Sequence, residues 1–234
     1  RNAEIEFSIN GKPIHKFNHV GPVGQIGFTP WRSTMQIRHF AASGKLLVRP
    51  QPKQRHYSIP TIDLADEKHR QVIVDREAGQ YLGHVTTVLL EDKRTMIAVY
   101  PKGHGRGPIV MKRSLDGGKT WSKRLPVPDN WATSQEVPTI HRVIDSHGVK
   151  RLILFSGLYP IRMAISEDDG KNWTPLKKIG DFGGIVTMGC VVRLKNGDYL
   201  ALFHDDGRFL KKGGKPSRFF VYKTISQDGG LTWS

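Results

Sequence analysis

Short apolar runs alternate with polar turns along most of this chain, at a beat that predicts antiparallel strands. The first group of runs is His84–Leu90, Thr95–Tyr100 and Ile109–Arg113. A second follows at Val137–His141, Arg151–Phe155 and Ile161–Ile165, and a third at Ile185–Leu194, Tyr199–Phe203 and Arg218–Ile225. Within each group the first two runs are joined by a turn-forming segment: Glu91–Arg94, Ser146–Gly148 and Lys195–Asp198. Such residues leave the extended conformation cheaply, so each group predicts a meander of strands, with no helix longer than about three turns expected between residues 65 and 234. Gln71–Val74 predicts one more short strand ahead of the first group. Residues 1–60 lack the beat; with Gly21-Pro22-Val23-Gly24, Pro30-Trp31 and the basic stretch Arg49–Arg55 they predict a leader with short strands. The expected organisation is a leader over 1–64 and a repeated β domain over 65–234.

Each group ends in the same octapeptide, Ser-x-Asp-x-Gly-x-x-Trp, at Ser114–Trp121, Ser166–Trp173 and Ser226–Trp233. The serines are 52 and 60 residues apart (166 − 114 and 226 − 166), the length of a four-stranded unit with variable loops. Within the pattern Asp accepts hydrogen bonds from turn N–H groups, Gly takes positive φ, and Trp supplies a large apolar surface to bury between sheets. Asp168-Asp169-Gly170 superficially suggests a calcium loop, but the later carboxylates of such a loop are missing, and no metal or cofactor is expected.

These octapeptides resemble the Asp boxes of the sialidase (neuraminidase) superfamily. The resemblance implies an all-β fold, a β-propeller of four-stranded antiparallel blades that is six-bladed when complete. Three boxes, a start at Arg1 and a stop at Ser234 suggest a partial chain. In a closed propeller a strand such as Gln71–Val74 completes the last blade. Asp boxes also occur in propellers that catalyse nothing, so function rests on other residues.

Lys+Arg number 36 against 21 Asp+Glu, a formal charge of +15, which favours an anionic partner. The cations are dispersed, no nucleic-acid-binding motif is present, and no five basic residues are consecutive, so an anionic glycan is expected rather than nucleic acid. Cys190 lies in a mostly apolar run and predicts a packing residue; alone, it excludes an intrachain disulfide. No apolar stretch reaches the roughly 18 residues of a membrane helix, and no membrane partner is expected. No signal peptide is visible, which leaves the compartment open; a lost leader would make the protein secreted or periplasmic. The sequence does not address oligomeric state.

Strand direction reverses at every turn, so parity assigns the loops to two faces. The Asp boxes share one face. The starts of first strands and the loops between second and third strands share the other, which gathers His84, His104, Arg106, Glu136, Tyr159, Arg162, His204, Asp205, Asp206 and Arg208. Carboxyl and imidazole groups move protons and guanidinium forks grip carboxylates, which is the composition of a site for an anionic sugar. Asp205, Asp206, His84, His104 and Glu136 are the catalytic candidates; Arg106, Tyr159, Arg162, His204 and Arg208 are the binding candidates. Each also has a plain structural alternative, as a strand histidine, a packing ring, a loop cap or a solvated cation.

The superfamily resemblance implies an exo-glycosidase that releases terminal sialic acid or a related anionic sugar. It also implies an Arg at the start of the first strand and an acid in the following loop. This chain instead has Gly83-His84 at the strand start and Lys102, His104 and Arg106 in the loop. His56-Tyr57-Ser58-Ile59-Pro60 offers a partial match, with Ser58 in the Arg position. Two alternatives remain: a propeller polysaccharide lyase acting on uronates through His and Tyr, and a non-catalytic glycan- or protein-binding propeller.

Overall fold

The computed structural model describes residues 2–9, 12–20, 60 and 62–234. The chain divides into two units, Arg1–Pro60 and Thr61–Ser234. In the first, β1 (Asn2–Ile9) and β2 (Lys12–Val20) pair as an antiparallel hairpin whose register shifts between Phe7 and Ser8. The Gly21–Gly24, Pro30-Trp31, Arg49–Arg55 and His56–Ile59 stretches lie outside the described residues.

The second unit consists of consecutive antiparallel sheets. The first sheet is β3 (Thr86–Leu89), β4 (Met96–Pro101) and β5 (Ile109–Ser114); the second is β6 (Thr139–Ile144), β7 (Lys150–Ser156), β8 (Arg162–Ser166) and β9 (Lys177–Lys178). The third is β10 (Ile185–Arg193), β11 (Tyr199–Asp205) and β12 (Phe220–Ser226). In the first sheet the chain after the box takes the fourth place: the Ser122 and Leu125 N–H groups donate to the Arg113 and Met111 carbonyls at 2.8 and 2.9 Å. In the third, Ser234 and Ile225 exchange both main-chain bonds at 3.0 Å. Helical structure among the described residues is confined to single 3-10 turns at Lys68–Arg70 and Asp129–Thr133.

Some boundaries differ from the sequence pattern for identifiable reasons. The first run begins its ladder at Thr86 rather than His84, because His84 sits at φ 52° in the left-handed region. β6 continues past His141 to Ile144 because the charge that interrupts the apolar pattern, Arg142, donates to Glu91 at 2.9 Å and to Asp169 at 2.5 Å. Gln71–Val74 is not a strand. Its segment is held by side chains over the face of the first sheet that points away from the second. Lys112 donates to the Val74 carbonyl at 2.5 Å, while Asp75 accepts Tyr100 at 2.5 Å and Arg124 at 2.7 Å. Burial alone would raise the Asp75 pKa, but the Arg124 and Tyr100 hydrogen bonds outweigh it and hold the carboxyl below its usual value.

Two apolar cores lie between the sheets, and strand parity sorts the residues between them. Leu152 and Leu154 of β7 join Ile97, Val99 and Met111 in one; Ile153 and Phe155 join Tyr199, Ala201 and Phe203 in the other. A sheet buried on both faces needs apolar residues at consecutive positions, which is why β7 reads as the unbroken run Leu-Ile-Leu-Phe. First strands are neighbours: β6 packs against both β3 and β10. Hydroxyls clasp them, with Thr86 donating to the Pro138 carbonyl at 3.1 Å and Thr139 to the Thr187 carbonyl at 3.0 Å.

The octapeptide makes the same bonds each time. Ser114, Ser166 and Ser226 donate to Oδ1 of Asp116, Asp168 and Asp228 at 2.7, 2.9 and 2.8 Å. Each Ser Oγ also accepts the N–H of Gly118, Gly170 or Gly230 at 2.8 Å. The same Asp Oδ1 accepts the N–H of Thr120, Asn172 or Thr232 at 2.9 Å. The indole N–H closes the turn on the Gly carbonyl at 3.0, 3.2 and 3.1 Å. The Asn172 main-chain N–H and side-chain amide hold the Asp168 pKa down at about 2.

The glycine has a second duty in the second and third boxes, where the turn presses on the preceding sheet. A Cβ on Gly170 (φ +78°) would come 2.6 Å from Cδ1 of Ile97, and one on Gly230 (φ +91°) 3.2 Å from Cγ1 of Val143. Trp173 packs on the first core and Trp233 belongs to the second. Trp233→Ala is therefore expected to lower the unfolding free energy by about 3–5 kcal/mol. Trp121→Ala, at a half-buried indole, should cost clearly less. Denaturant melts of the two variants check the order.

Candidate active site

The face opposite the Asp boxes is built around Ser134, a buried residue just after the 3-10 turn Asp129–Thr133. Its carbonyl accepts Gly107 N–H from the first sheet's β4–β5 loop at 3.3 Å. Its hydroxyl lies 2.8 Å from Ser156 Oγ at the end of β7 and donates to the Glu136 carbonyl at 3.0 Å. One serine thus ties together the first sheet's loop, the second sheet's strand end and the segment carrying Glu136.

Glu136 is half-buried and accepts Val137 N–H through Oε1 at 2.8 Å. The carboxylate fills space left by glycine on both sides. A Cβ on Gly105 (φ +82°) would stand 2.7 Å from Oε1, and one on Gly157 would stand 3.1 Å from Cγ and 2.9 Å from Thr187 Oγ1. Thr86 and Thr139 donate to equivalent carbonyls, those of Pro138 and Thr187, and the β10–β11 register shifts between Ile185 and Cys190, so Thr187 stands level with Pro138, two residues along from Glu136. Thr187 is fully buried and its Oγ1 has no partner among the described residues.

His84 and His104 meet across the first sheet's mouth, with Nε2 and Nδ1 3.4 Å apart and rings edge to face at 4.5 Å; Tyr81 flanks His104 at 5.7 Å. Both histidines and Arg106 are exposed, and His104 immediately precedes the Gly105 that borders Glu136. His84, His104, Arg106 and Glu136 thus share one side of the face. The His pair is a proton acceptor and donor set in open solvent, and Arg106 is a fork available to an anion.

The remaining candidates are tied into local structure. Arg162 donates both Nη groups to Thr133, at 2.7 Å to Oγ1 and 2.7 Å to the carbonyl, and burial lowers its pKa. Tyr159 donates to Asp181, a carboxylate in the linker to the third sheet, and that bond raises the phenol pKa. Asp205 is fully buried; its Oδ2 accepts the N–H groups of Gly207, Phe209 and Leu210 at 2.6, 3.1 and 3.1 Å, and its Oδ1 has no partner among the described residues. Asp206 receives Arg208 Nε on both oxygens at 2.8 Å, which holds its carboxyl below the usual range. His204 packs edge-on against Phe219 at 5.5 Å.

Sequence reasoning missed Ser134, Asp181 and Thr187. Pattern could not mark them, since Glu136 and Thr187 lie 30 and 39 residues before their box serines. Only the folded chain brings both beside Gly157. No group of three or more His, Cys, Asp or Glu placed to hold a metal occurs among the described residues.

The family model for the BNR/Asp-box repeat matches residues 112–123, which include the first octapeptide. The same bonds recur in the other two octapeptides, on consecutive four-stranded sheets with shared inter-sheet cores. The chain carries Asp-box repeats on consecutive antiparallel blades. Among solved structures it is similar to an alpha-L-arabinanase of Penicillium chrysogenum solved with arabinobiose, at 18% identity and a TM-score of 0.48, over 65% of this chain and 48% of that one. It is also similar to an alpha-L-arabinofuranosidase of Fusarium graminearum solved with arabinobiose (15%, TM-score 0.48, 69% and 50%). A third is a protein of unknown function from Dyadobacter fermentans (16%, TM-score 0.49, 70% and 56%). The chain spans about half the length of these structures. No curated protein sequence matches it.

Between the second and third blades of this Asp-box propeller sits His141, whose ring lies 6.1 Å from Phe155 and whose buried Nε2 has no partner among the described residues. Burial pushes its pKa down to about 4, against a smaller opposing effect of a Met188 main-chain hydrogen bond. The folded state therefore takes up its proton later than the unfolded state as pH falls. Stability contributed by neutral His141 is intact above the ordinary histidine value and is lost between about pH 6.5 and 4, amounting to about 3 kcal/mol. His141→Leu should lose correspondingly less stability across that window in denaturant titrations at a series of pH values.

Proposed function

We propose that this Asp-box propeller is a glycoside hydrolase that removes a terminal anionic sugar, sialic acid or a related acidic sugar, from glycans. The observation that carries the proposal is Glu136, a half-buried carboxylate in a gap kept open by Gly105 and Gly157, beside the exposed His84–His104 pair and Arg106. In this assignment Glu136 protonates the departing glycosidic oxygen as the bond to the anomeric carbon breaks, water adds to that carbon and gives up a proton to solvent, Arg106 pairs with the sugar carboxylate, and the histidines orient its hydroxyls. The charge of +15 draws an anionic substrate to the face. Asp205 and Asp206 act on the third blade's loop, one as a cap and the other as the partner of Arg208.

One observation favours a second reading. Two histidines 3.4 Å apart, with Tyr159 on the same face, also suit a lyase in which imidazole removes the proton beside a uronate carboxylate. Product analysis separates the two, because a lyase leaves an unsaturated sugar that absorbs in the near ultraviolet and a hydrolase does not. For the hydrolase, Glu136→Gln is expected to cut turnover by about 10²–10⁴-fold with affinity largely kept. An unsaturated product would transfer the assignment to the lyase. Glycan binding without turnover would make the protein a binding module.

A further inference from the structure

The loop between β11 and β12 carries a second feature of the same face. From Gly207 to Val221, a stretch that runs into the first two residues of β12, it contains Arg208, Lys211, Lys212, Lys215 and Arg218 and the rings Phe209, Phe219 and Phe220, and the one acid of the loop, Asp206, lies at its base. All five cations are exposed, and Phe219 and Phe220 are 61% and 44% exposed. Arg208 is committed to Asp206; the other four have no ion pair among the described residues. Arg218 lies over the Phe220 ring at 4.9 Å and Arg208 over Phe209 at 5.1 Å.

The loop is folded back and pinned. Asp205 gathers three of its N–H groups, and Ser217 N–H returns to the Asp206 carbonyl at 2.6 Å. Its two arms pass so closely that a Cβ on Gly214 would come 2.0 Å from the Gly207 carbonyl oxygen and one on Gly207 would come 2.6 Å from that of Lys215. Such a loop presents its cations without first losing much chain entropy. It is also joined to the candidate site's face: the Leu210 carbonyl accepts Gly183 N–H at 3.1 Å, two residues from Asp181, and Phe219 packs on His204.

We propose that this loop is a docking arm for an anionic polysaccharide, holding the polymer that continues beyond the terminal sugar. Lysines meet carboxylate or sulfate groups along the chain, and the exposed phenyl rings lie against the apolar faces of sugar rings. Four cations without an ion pair among the described residues, flanked by aromatic rings, match a polymer with charge on successive residues, whereas a neutral glycan leaves that charge unanswered. Continuity with the sugar-binding face favours a polysaccharide over nucleic acid or an anionic lipid surface. This inference rests on the glycan-acting reading and extends it from one sugar to a polymer.

The test is binding of the 234-residue chain to polygalacturonate, dextran sulfate, uncharged dextran, single-stranded DNA and anionic lipid vesicles, each at low and physiological salt. Binding to one or both anionic polysaccharides, absent with dextran, is expected, and the preferred one tells carboxylate from sulfate recognition. The combined Lys211→Glu, Lys212→Glu, Lys215→Glu variant should lose at least about tenfold in affinity and much of the salt dependence. Phe219→Ala with Phe220→Ala should weaken binding with the salt dependence retained. A variant whose melting transition matches the parent but whose polysaccharide affinity is unchanged would overturn the proposal, as would tighter binding to DNA or vesicles than to either polysaccharide. Glu136→Gln separates the two readings: it should keep polymer affinity whether or not the protein turns over a glycan, so failed hydrolysis with loop-dependent binding removes the hydrolase alone.

Discussion

The structure depends on one hydrogen-bond array, the Ser–Asp pair that closes each box turn. An Asp oxygen that accepts both a Ser hydroxyl and a main-chain N–H four residues on fixes the turn as a rigid unit. Rigidity matters because the turn is a packing element as well as a connection. Its glycine sits against the preceding sheet, at Ile97 for the second blade and Val143 for the third, and its indole enters the core between sheets. An array that is local in sequence therefore sets a distance between blades.

On the opposite face the blades are joined by different means. Threonine hydroxyls clasp neighbouring first strands, and Ser134 links a loop of one blade to a strand end of the next. These are single, directional bonds, wholly or partly buried, and each carries more positional information than an equal area of apolar contact. Glu136 is held by this network and given room by two glycines. A carboxylate placed in that way has a defined orientation before any substrate arrives, which is the property a proton donor needs.

The third blade uses its acids differently. Asp205 has exchanged exposure for three main-chain N–H groups, and Asp206 has taken Arg208 as its partner. Both stabilise one long loop, and the cations of that loop stay exposed because the loop's own acids are already spent at its base. Charge on this face is thus divided between a side with Glu136, the histidines and Arg106 and a side with the lysine-rich arm.

The sequence by itself determined the strand beat, the box turns and the blade repeat. Each depends on interactions within about ten residues, such as Ser166 with Asp168 or Asp168 with Asn172, so the pattern is written contiguously. It also determined which loops share a face, since parity along antiparallel strands needs no tertiary information. It mistook Gln71–Val74 for a strand because an apolar run held by Lys112, Tyr100 and Arg124 looks the same as one held by a ladder. Only the tertiary structure decided the site. Whether Glu136 meets Gly105 and whether Ser134 meets Ser156 depend on partners 31 and 22 residues away, while Asp205 and Asp206 bond within five residues of themselves in a loop whose path the pattern does not mark. Those partners are chosen by inter-blade packing, and residue type alone does not encode them.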